Sequence, residues 1–298
     1  MAPARWRIHA ALLAVQVFFG LHPVAGAIAL TKLNAPAIIG VRTIVGAPLL
    51  MLYAWMVQRD RPIVPAPGDR WRLAVLALLG VTVNQLLFTE GLHRAGAVNA
   101  AILVVTIPIL TLLVAILLGR EPLSGRRLLG VGLALVGAAL ITRVERFDLS
   151  SQVAVGDLML IANSLCYAVY LVLAGPVLAR VGPMAGVAWV FCFGALLGLP
   201  LTGPALLSTS WGALDGRSIA ALAFIVAGPT LGAYGLNAYA LRWADASVVA
   251  VYVALQPFIG AISAHFVLGA EISARTAAAG VIIVAGVLIA SATRRRAH

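Results

Sequence analysis

LHRAGAVNAAILVVTIP (Leu92–Pro108) and LRWADASVVAVYVALQP (Leu241–Pro257) are one stretch written twice, at a shift of 149 residues. Leu92, Ala95, Ala97 and Pro108 fall on Leu241, Ala244, Ala246 and Pro257. One residue is then inserted, and Gly119, Glu121 and Gly130 fall on Gly269, Glu271 and Gly280. Upstream, at a shift of 147, Pro36 falls on Pro183. Agreement that runs on through several segments in order is the mark of an internal repeat. The chain reads as two fused copies of one unit, 1–147 and 148–298.

The segments on either side of these stretches are apolar throughout. Of the 298 residues, 62% are hydrophobic and 10% charged, and the mean hydropathy is +1.03. A soluble domain of this length needs far more charged surface. A helix crossing a bilayer needs roughly 20 apolar residues, and the sequence offers such runs at 8–30, 36–57, 72–92, 96–118, 124–142, 153–174, 184–206, 217–241, 245–268 and 273–292. Turn and charge signals lie between them, as in Lys32-Leu33-Asn34-Ala35-Pro36 and Arg120-Glu121-Pro122. The runs are too long for barrel strands, so an all-α membrane protein of ten transmembrane helices is expected, five in each copy. The run at 8–30 is longer than the apolar part of a signal peptide and reads as a retained first helix.

The formal net charge of +11 does not point to nucleic acid, because the arginines punctuate the ends of apolar runs instead of sharing one face. Their bias sets the orientation. Arg5, Arg7, Arg59, Arg61, Arg70, Arg72, Arg120, Arg126 and Arg127 fall on the side of the N-terminus, and Arg294-Arg295-Arg296 agree with them. Both termini are therefore expected in the cytoplasm, with the chain in a bacterial inner membrane. Cys166 and Cys192 lie inside apolar runs without metal-ligand spacing and read as small buried residues.

Five helices per copy is an odd number, so the second copy enters the membrane upside down. Inverted repeats generate a pseudo-two-fold axis in the membrane plane, with a site near the midplane and two interchangeable packings of the halves. This favours a transporter over a duplication that serves stability alone.

The order of motifs resembles the drug/metabolite transporter superfamily in its EamA-type two-repeat form. The likeness is carried by Ala35-Pro36…Arg42, by Glu90-Gly91-Leu92-His93-Arg94-Ala95-Gly96-Ala97, by Ile107-Pro108, by Gly119-Arg120-Glu121-Pro122, and by the matching residues of the second copy. Gly156-Asp157 and Tyr167 add to it. Within the superfamily the chain is similar to YddG-type bacterial amino-acid exporters. That resemblance implies export of amino acids or similar metabolites. Trp189 stands where Arg42 stands in the first copy, so a role for Arg42 has no symmetric counterpart.

A helix that lines a polar path shows polar residues at i, i+3 or i+4, and i+7. Such stripes are Gln16, Phe19 and Pro23 on helix 1; Thr82, Gln85, Thr89 and His93 on helix 3; and Asn99 and Thr106 on helix 4. The second copy has Asn163, Tyr167 and Tyr170 on helix 6, Thr230, Tyr234 and Asn237 on helix 8, and Tyr252, Gln256 and Ser263 on helix 9. Each residue is either a cavity liner or one partner of an interhelical hydrogen bond. Pro108 and Pro257 each free a carbonyl one turn earlier, as hinges or as static kinks. Helices 5 and 10 lack stripes and carry Gly130, Ala134, Gly137, Gly280 and Gly286 instead, which suits close packing or a homodimer contact.

Arg42 is the one formal charge placed well inside a span, as a carboxylate-binding fork or as a structural cation. Glu90 and His93, near the outer end of helix 3, are candidates for a coupling charge, and His22 and His265 also lie within spans. There is no ATPase loop, no metalloprotease motif, no nucleophile elbow, and therefore no expectation of an enzyme, a cofactor or a metal. A neutral, partly aromatic cavity suits a zwitterion with a variable apolar side chain. The alternatives are an exporter of drugs or other amphipathic metabolites, and a membrane partner subunit that transports nothing.

Overall fold

Each break in the apolar pattern ends one helix and opens the next. The computed structural model describes residues 4–58, 62–142, 151–260, 262 and 274–291. Among them are ten helices: α1 (Arg5–Leu30), α2 (Ala35–Val57), α3 (Pro67–Gly96), α4 (97–117), α5 (Gly125–Thr142), α6 (Ser151–Val181), α7 (Pro183–Ser208), α8 (Gly216–Leu241), α9 (Ala246–Gly260) and α10 (Ala274–Ser291). Six of these, α1 to α3 and α6 to α8, are long and apolar enough to cross a membrane. The expected copy boundary at 147/148 lies outside the described residues, as do Arg59, Arg61, Ser263, His265, Glu271 and the arginines at 294–296.

The ends follow from local chemistry. The Asn34 carboxamide accepts from the Ala37 N–H at 2.9 Å, and Pro36 fills the first turn of α2, where no donor is needed. Asp215 caps α8 by accepting from Ser218 N–H at 2.8 Å. α6 runs seven residues past its expected end at 174, straight through Pro176, because nothing polar interrupts the stretch before Arg180 in its last turn. α3 and α4 meet without a loop. Gly96 alone turns the chain, at φ 80° and ψ 169°, a region essentially closed to other residues. Gly96→Ala is expected to destabilise the protein by ~1–3 kcal/mol. Its melting temperature in detergent should fall even though nothing lies within 4 Å of the added methyl group.

Packing is pairwise and obeys the two-fold logic of the repeat. α5 packs on α10 and α2 on α7, each helix against its own equivalent in the other copy. α1 packs on α8, and α3 with the start of α4 packs on α6. The copies share their irregularities as well. α3 carries a π-helical turn at Leu78–Thr82, and α8 one at Val226–Gly232. α4 tightens to a 3₁₀ turn at Val104–Thr106, and α9 at Tyr252–Leu255. Each 3₁₀ turn lies directly before the proline, Pro108 or Pro257, that cannot donate to it.

The glycines of α5 and α10 face one another. A Cβ on Gly130 would lie 2.6 Å from Ala290 N and 2.7 Å from the Gly286 carbonyl, and one on Gly286 would lie 2.6 Å from Ala134 N. Of the uses expected for these small residues, Gly130, Gly137 and Gly286 serve packing within one chain.

The polarity of the bundle is that of a membrane protein. Leu13, Val17, Leu52, Trp55, Leu201 and Leu207 are exposed on its outside. Its interior holds Gln16, Arg42, Asn84, Gln85, Asn163 and Asn237, all buried.

Candidate functional site

Apolar helices need no partner in lipid, so buried polar groups must find one another inside the bundle. They do so around a central cavity between α1, α2, α3, α4, α6, α8 and α9, with about 520 Å³ of non-atom space including its open mouth. α1 contributes Phe19 and His22, α2 Arg42, and α3 Asn84, Gln85 and Phe88. Val104 and Ile107 come from α4, Asn163 and Tyr167 from α6, Tyr234 from α8 and Gln256 from α9.

One wall is cationic. Arg42 Nε donates to Thr230 Oγ1 at 3.0 Å, and the Thr230 hydroxyl donates onward to the Ile225 carbonyl at 2.8 Å. Arg42 Nη1 lies 3.3 Å from His22 Nε2. A guanidinium has no lone pair to offer, so Nε2 is the acceptor and His22 is neutral, with its proton on Nδ1. The His22 ring stacks on Phe88, centroids 5.4 Å apart.

The floor is aromatic. Tyr234 donates its hydroxyl proton to the Gly80 carbonyl, within the π turn of α3. Its ring is edge-on to Phe19 at 6.3 Å and to Phe191 at 4.9 Å. Tyr167 stacks on Tyr170 at 5.8 Å, and its hydroxyl accepts from Asn237 Nδ2 at 2.5 Å. Such edge-on and offset pairs are the favoured aromatic arrangements. Gln85 Nε2 is 3.5 Å from the Tyr234 oxygen, a long contact. Gln256 Nε2 donates to Gln16 Oε1 at 2.9 Å, closing the site between α9 and α1. Asn84 and Asn163 exchange bonds: Asn84 Nδ2 donates to the Asn163 carbonyl at 3.1 Å and Asn163 Nδ2 to the Asn84 carbonyl at 2.8 Å, which ties α3 to α6.

Phe19, Arg42, Gln85, Asn163, Tyr167, Tyr234 and Gln256 thus come together at one cavity, with Gln16 and Asn237 bonded to its walls. The other expected residues do not line it. Thr89 is buried away from it. Asn99 donates to Asp157 Oδ1 at 2.9 Å, between α4 and α6. Thr106 bonds back to its own helix at the Leu103 carbonyl, 2.6 Å away, as helical threonines do. Tyr170 fills the space over Gly80. Tyr252 is 2.5 Å from His9 Nδ1, near the N-terminal end of α1. Glu90 faces Arg94 at 3.5 Å and His93 is exposed; both border a groove with Lys32 and Asn34 at the C-terminal end of α1, apart from the cavity. Pro108 and Pro257 lie just after the 3₁₀ turns.

The stripes missed His22, Asn84, Phe88, Val104 and Ile107. The π turn bears on Thr82 instead. Such a turn breaks the regular helical period of the side chains. Thr82, the last residue of the turn, bonds the Gly194 carbonyl on α7, while Asn84 and Gln85, beyond it, reach the cavity. Phe88, Val104 and Ile107 are apolar and leave no trace in a polar stripe.

At the end of the bundle where α1 begins, the copies are tied by charge. Asp69 on α3 accepts from Arg180 on α6 at 2.9 Å. Arg127 at the start of α5 pairs with Glu121 at 2.6 Å and also reaches Asp245, the cap residue of α9. Glu121 in turn accepts from Ser247 N–H at 3.1 Å. Gln58 Nε2 reaches the Val181 carbonyl at 3.0 Å.

A ten-helix bundle of two like halves around a polar, aromatic central cavity is the architecture of a multi-pass membrane transporter. The model of the EamA-like transporter family matches twice, over residues 6–143 and 154–292, and the chain belongs to that family. It is 32% identical to an uncharacterized transporter of Archaeoglobus fulgidus over 259 residues, 86% of this chain and 87% of that one. It is 26% identical to the uncharacterized transporter YyaM of Bacillus subtilis, over 74% of this chain and 73% of that one. A crystal structure with 18% sequence identity shares the fold at a TM-score of 0.79, over 97% of each chain.

Proposed function

We propose that the chain is a secondary transporter that exports amino acids or similar small metabolites across a bacterial inner membrane by alternating access, with both termini in the cytoplasm. The observation that carries this reading is the cavity itself. It offers a cation at one wall, amide groups beside it, and aromatic rings below, a combination that suits a small zwitterion with an apolar side chain. Membership of a transporter family supports transport. The paired turns before Pro108 and Pro257 offer bending points in equivalent helices of the two copies. The charged ties at the end where α1 begins favour a state closed on that side.

The test is flux. Purified protein in proteoliposomes should move radiolabelled amino acids from a broad panel, with and without an imposed pH gradient. Protein-free vesicles should not. No movement of any amino acid by folded protein would remove this reading in favour of another metabolite class.

A further inference from the structure

Arg42 is 2% exposed in the middle of a membrane protein, and among the described residues no carboxylate lies within ion-pair distance of it. The described acids are engaged elsewhere. Asp69, Glu90, Glu121 and Asp245 face arginines other than Arg42, Asp157 accepts from Asn99, and Asp215 caps α8. A buried charge in a bilayer is tolerated where it has a counter-charge or lines an aqueous cavity. A guanidinium carries five N–H donors. Two of Arg42's are directed, one to Thr230 and one to His22, which leaves three for something else.

A second observation is independent of the first. Gln85 is 3% exposed, lines the same cavity, and its Oε1 has no hydrogen-bond partner. The orientation of this amide follows from its neighbour. The single proton of the Tyr234 hydroxyl goes to the Gly80 carbonyl, so that oxygen can only accept from Gln85, and the amide nitrogen must face it. The amide oxygen is left as a buried acceptor that lacks a donor, an arrangement that is disfavoured unless something fills it.

We infer that Arg42 and Gln85 are the two poles of a zwitterion site: the Arg42 guanidinium takes the substrate carboxylate, and Gln85 Oε1 takes its ammonium. Their anchors, Thr230 and Tyr234, are four residues apart on α8, so one helix holds both poles at the same cavity. The side chain is then left to Phe19, Phe88 and Tyr167, whose rings accept many apolar shapes. His22 accepts from Nη1 and so helps to hold the guanidinium at the cavity wall. This assignment rests on the transport of amino acids proposed above, and goes beyond it by fixing which residue meets which end.

The test uses the full-length protein in proteoliposomes and in detergent. L-Leucine, L-phenylalanine and L-threonine are each compared with their methyl esters, which lack the carboxylate, and their N-acetyl forms, which lack the ammonium. Flux and thermal stabilisation are read for each. Both derivatives should be at least tenfold weaker than the parent amino acid on the wild-type protein. Gln85→Glu should restore binding of the methyl esters, since a carboxylate there holds an ammonium without help from the other pole. Arg42→Gln should lose the parent amino acid at least tenfold. Should Arg42→Gln fail to fold, the derivative series on wild type and Gln85→Glu still decide the matter. Esters or N-acetyl forms that compete as well as the parent would overturn the assignment while leaving amino-acid transport standing. Absence of any amino-acid flux or binding in folded wild type would instead remove the proposed function, and this assignment with it.

Discussion

Gly130→Leu is expected to abolish accumulation of folded protein. The first atom of any side chain at this position lies 2.6 Å from the Ala290 amide nitrogen, 2.7 Å from the Ala290 Cβ and 2.7 Å from the Gly286 carbonyl oxygen. Two of these three atoms are backbone, and backbone inside a helix does not swing aside. The only relief is separation of α5 from α10, which exposes Gly286 and Gly137 along the same seam, since each is in close contact with the facing helix. Overpacking a core usually costs ~1–3 kcal/mol, and more where neighbours cannot relax. This substitution belongs to the second case. Gly132, two residues further along α5, has nothing within 4 Å of an added Cβ. Gly132→Leu should therefore be silent. Fluorescence-detected size-exclusion profiles of tagged protein would show a monodisperse peak for Gly132→Leu and a lost or aggregated one for Gly130→Leu. Equal peaks would mean that the two helices stand further apart than these distances.

Tyr234→Ala is the second large effect. Tyr234 is 4% exposed and joins four elements: Phe19 of α1, Tyr170 of α6 and Phe191 of α7 around its ring, and Gly80 of α3 at its hydroxyl. Truncating a buried aromatic ring removes ~3–5 kcal/mol. The variant should lose flux at least tenfold, and its melting temperature should drop. Tyr234→Phe separates the two contributions. It keeps the ring contacts, so the melting temperature should fall much less. It leaves the Gly80 carbonyl without its donor and frees the Gln85 amide, so the apparent affinity for substrate should still change. A Tyr234→Phe variant with wild-type affinity would show that the hydroxyl is not what holds Gln85 in place.

The fold was legible because its signals are strong and local. Lys32–Pro36, Arg120–Pro122 and the glycine at 96 break the chain where helices break, and the repeat shows at every level down to its irregular turns. The site was legible only in part, and the reason is geometric. A stripe on a helical wheel assumes an unbroken 3.6-residue period. α3 and α8 each contain a π turn that breaks it, and Thr82, the last residue of one, bonds α7 and does not line the cavity. Polarity alone also cannot tell Thr106, which bonds its own helix, from Gln256, which bonds α1. His22 sits one helical turn from Phe19, yet its use as an acceptor for Arg42 depends on where α2 comes to lie, and that is a fact of packing.

The two helices that touch at the α5–α10 seam are the same helix of the two copies, and Gly130 of one lies against Gly286 of the other. Each copy's last helix is thus completed by the last helix of the other, so neither half closes this seam alone. Carrying both halves in one chain keeps the partners of the seam at one to one, and lets a residue such as Arg42 stand in one half only.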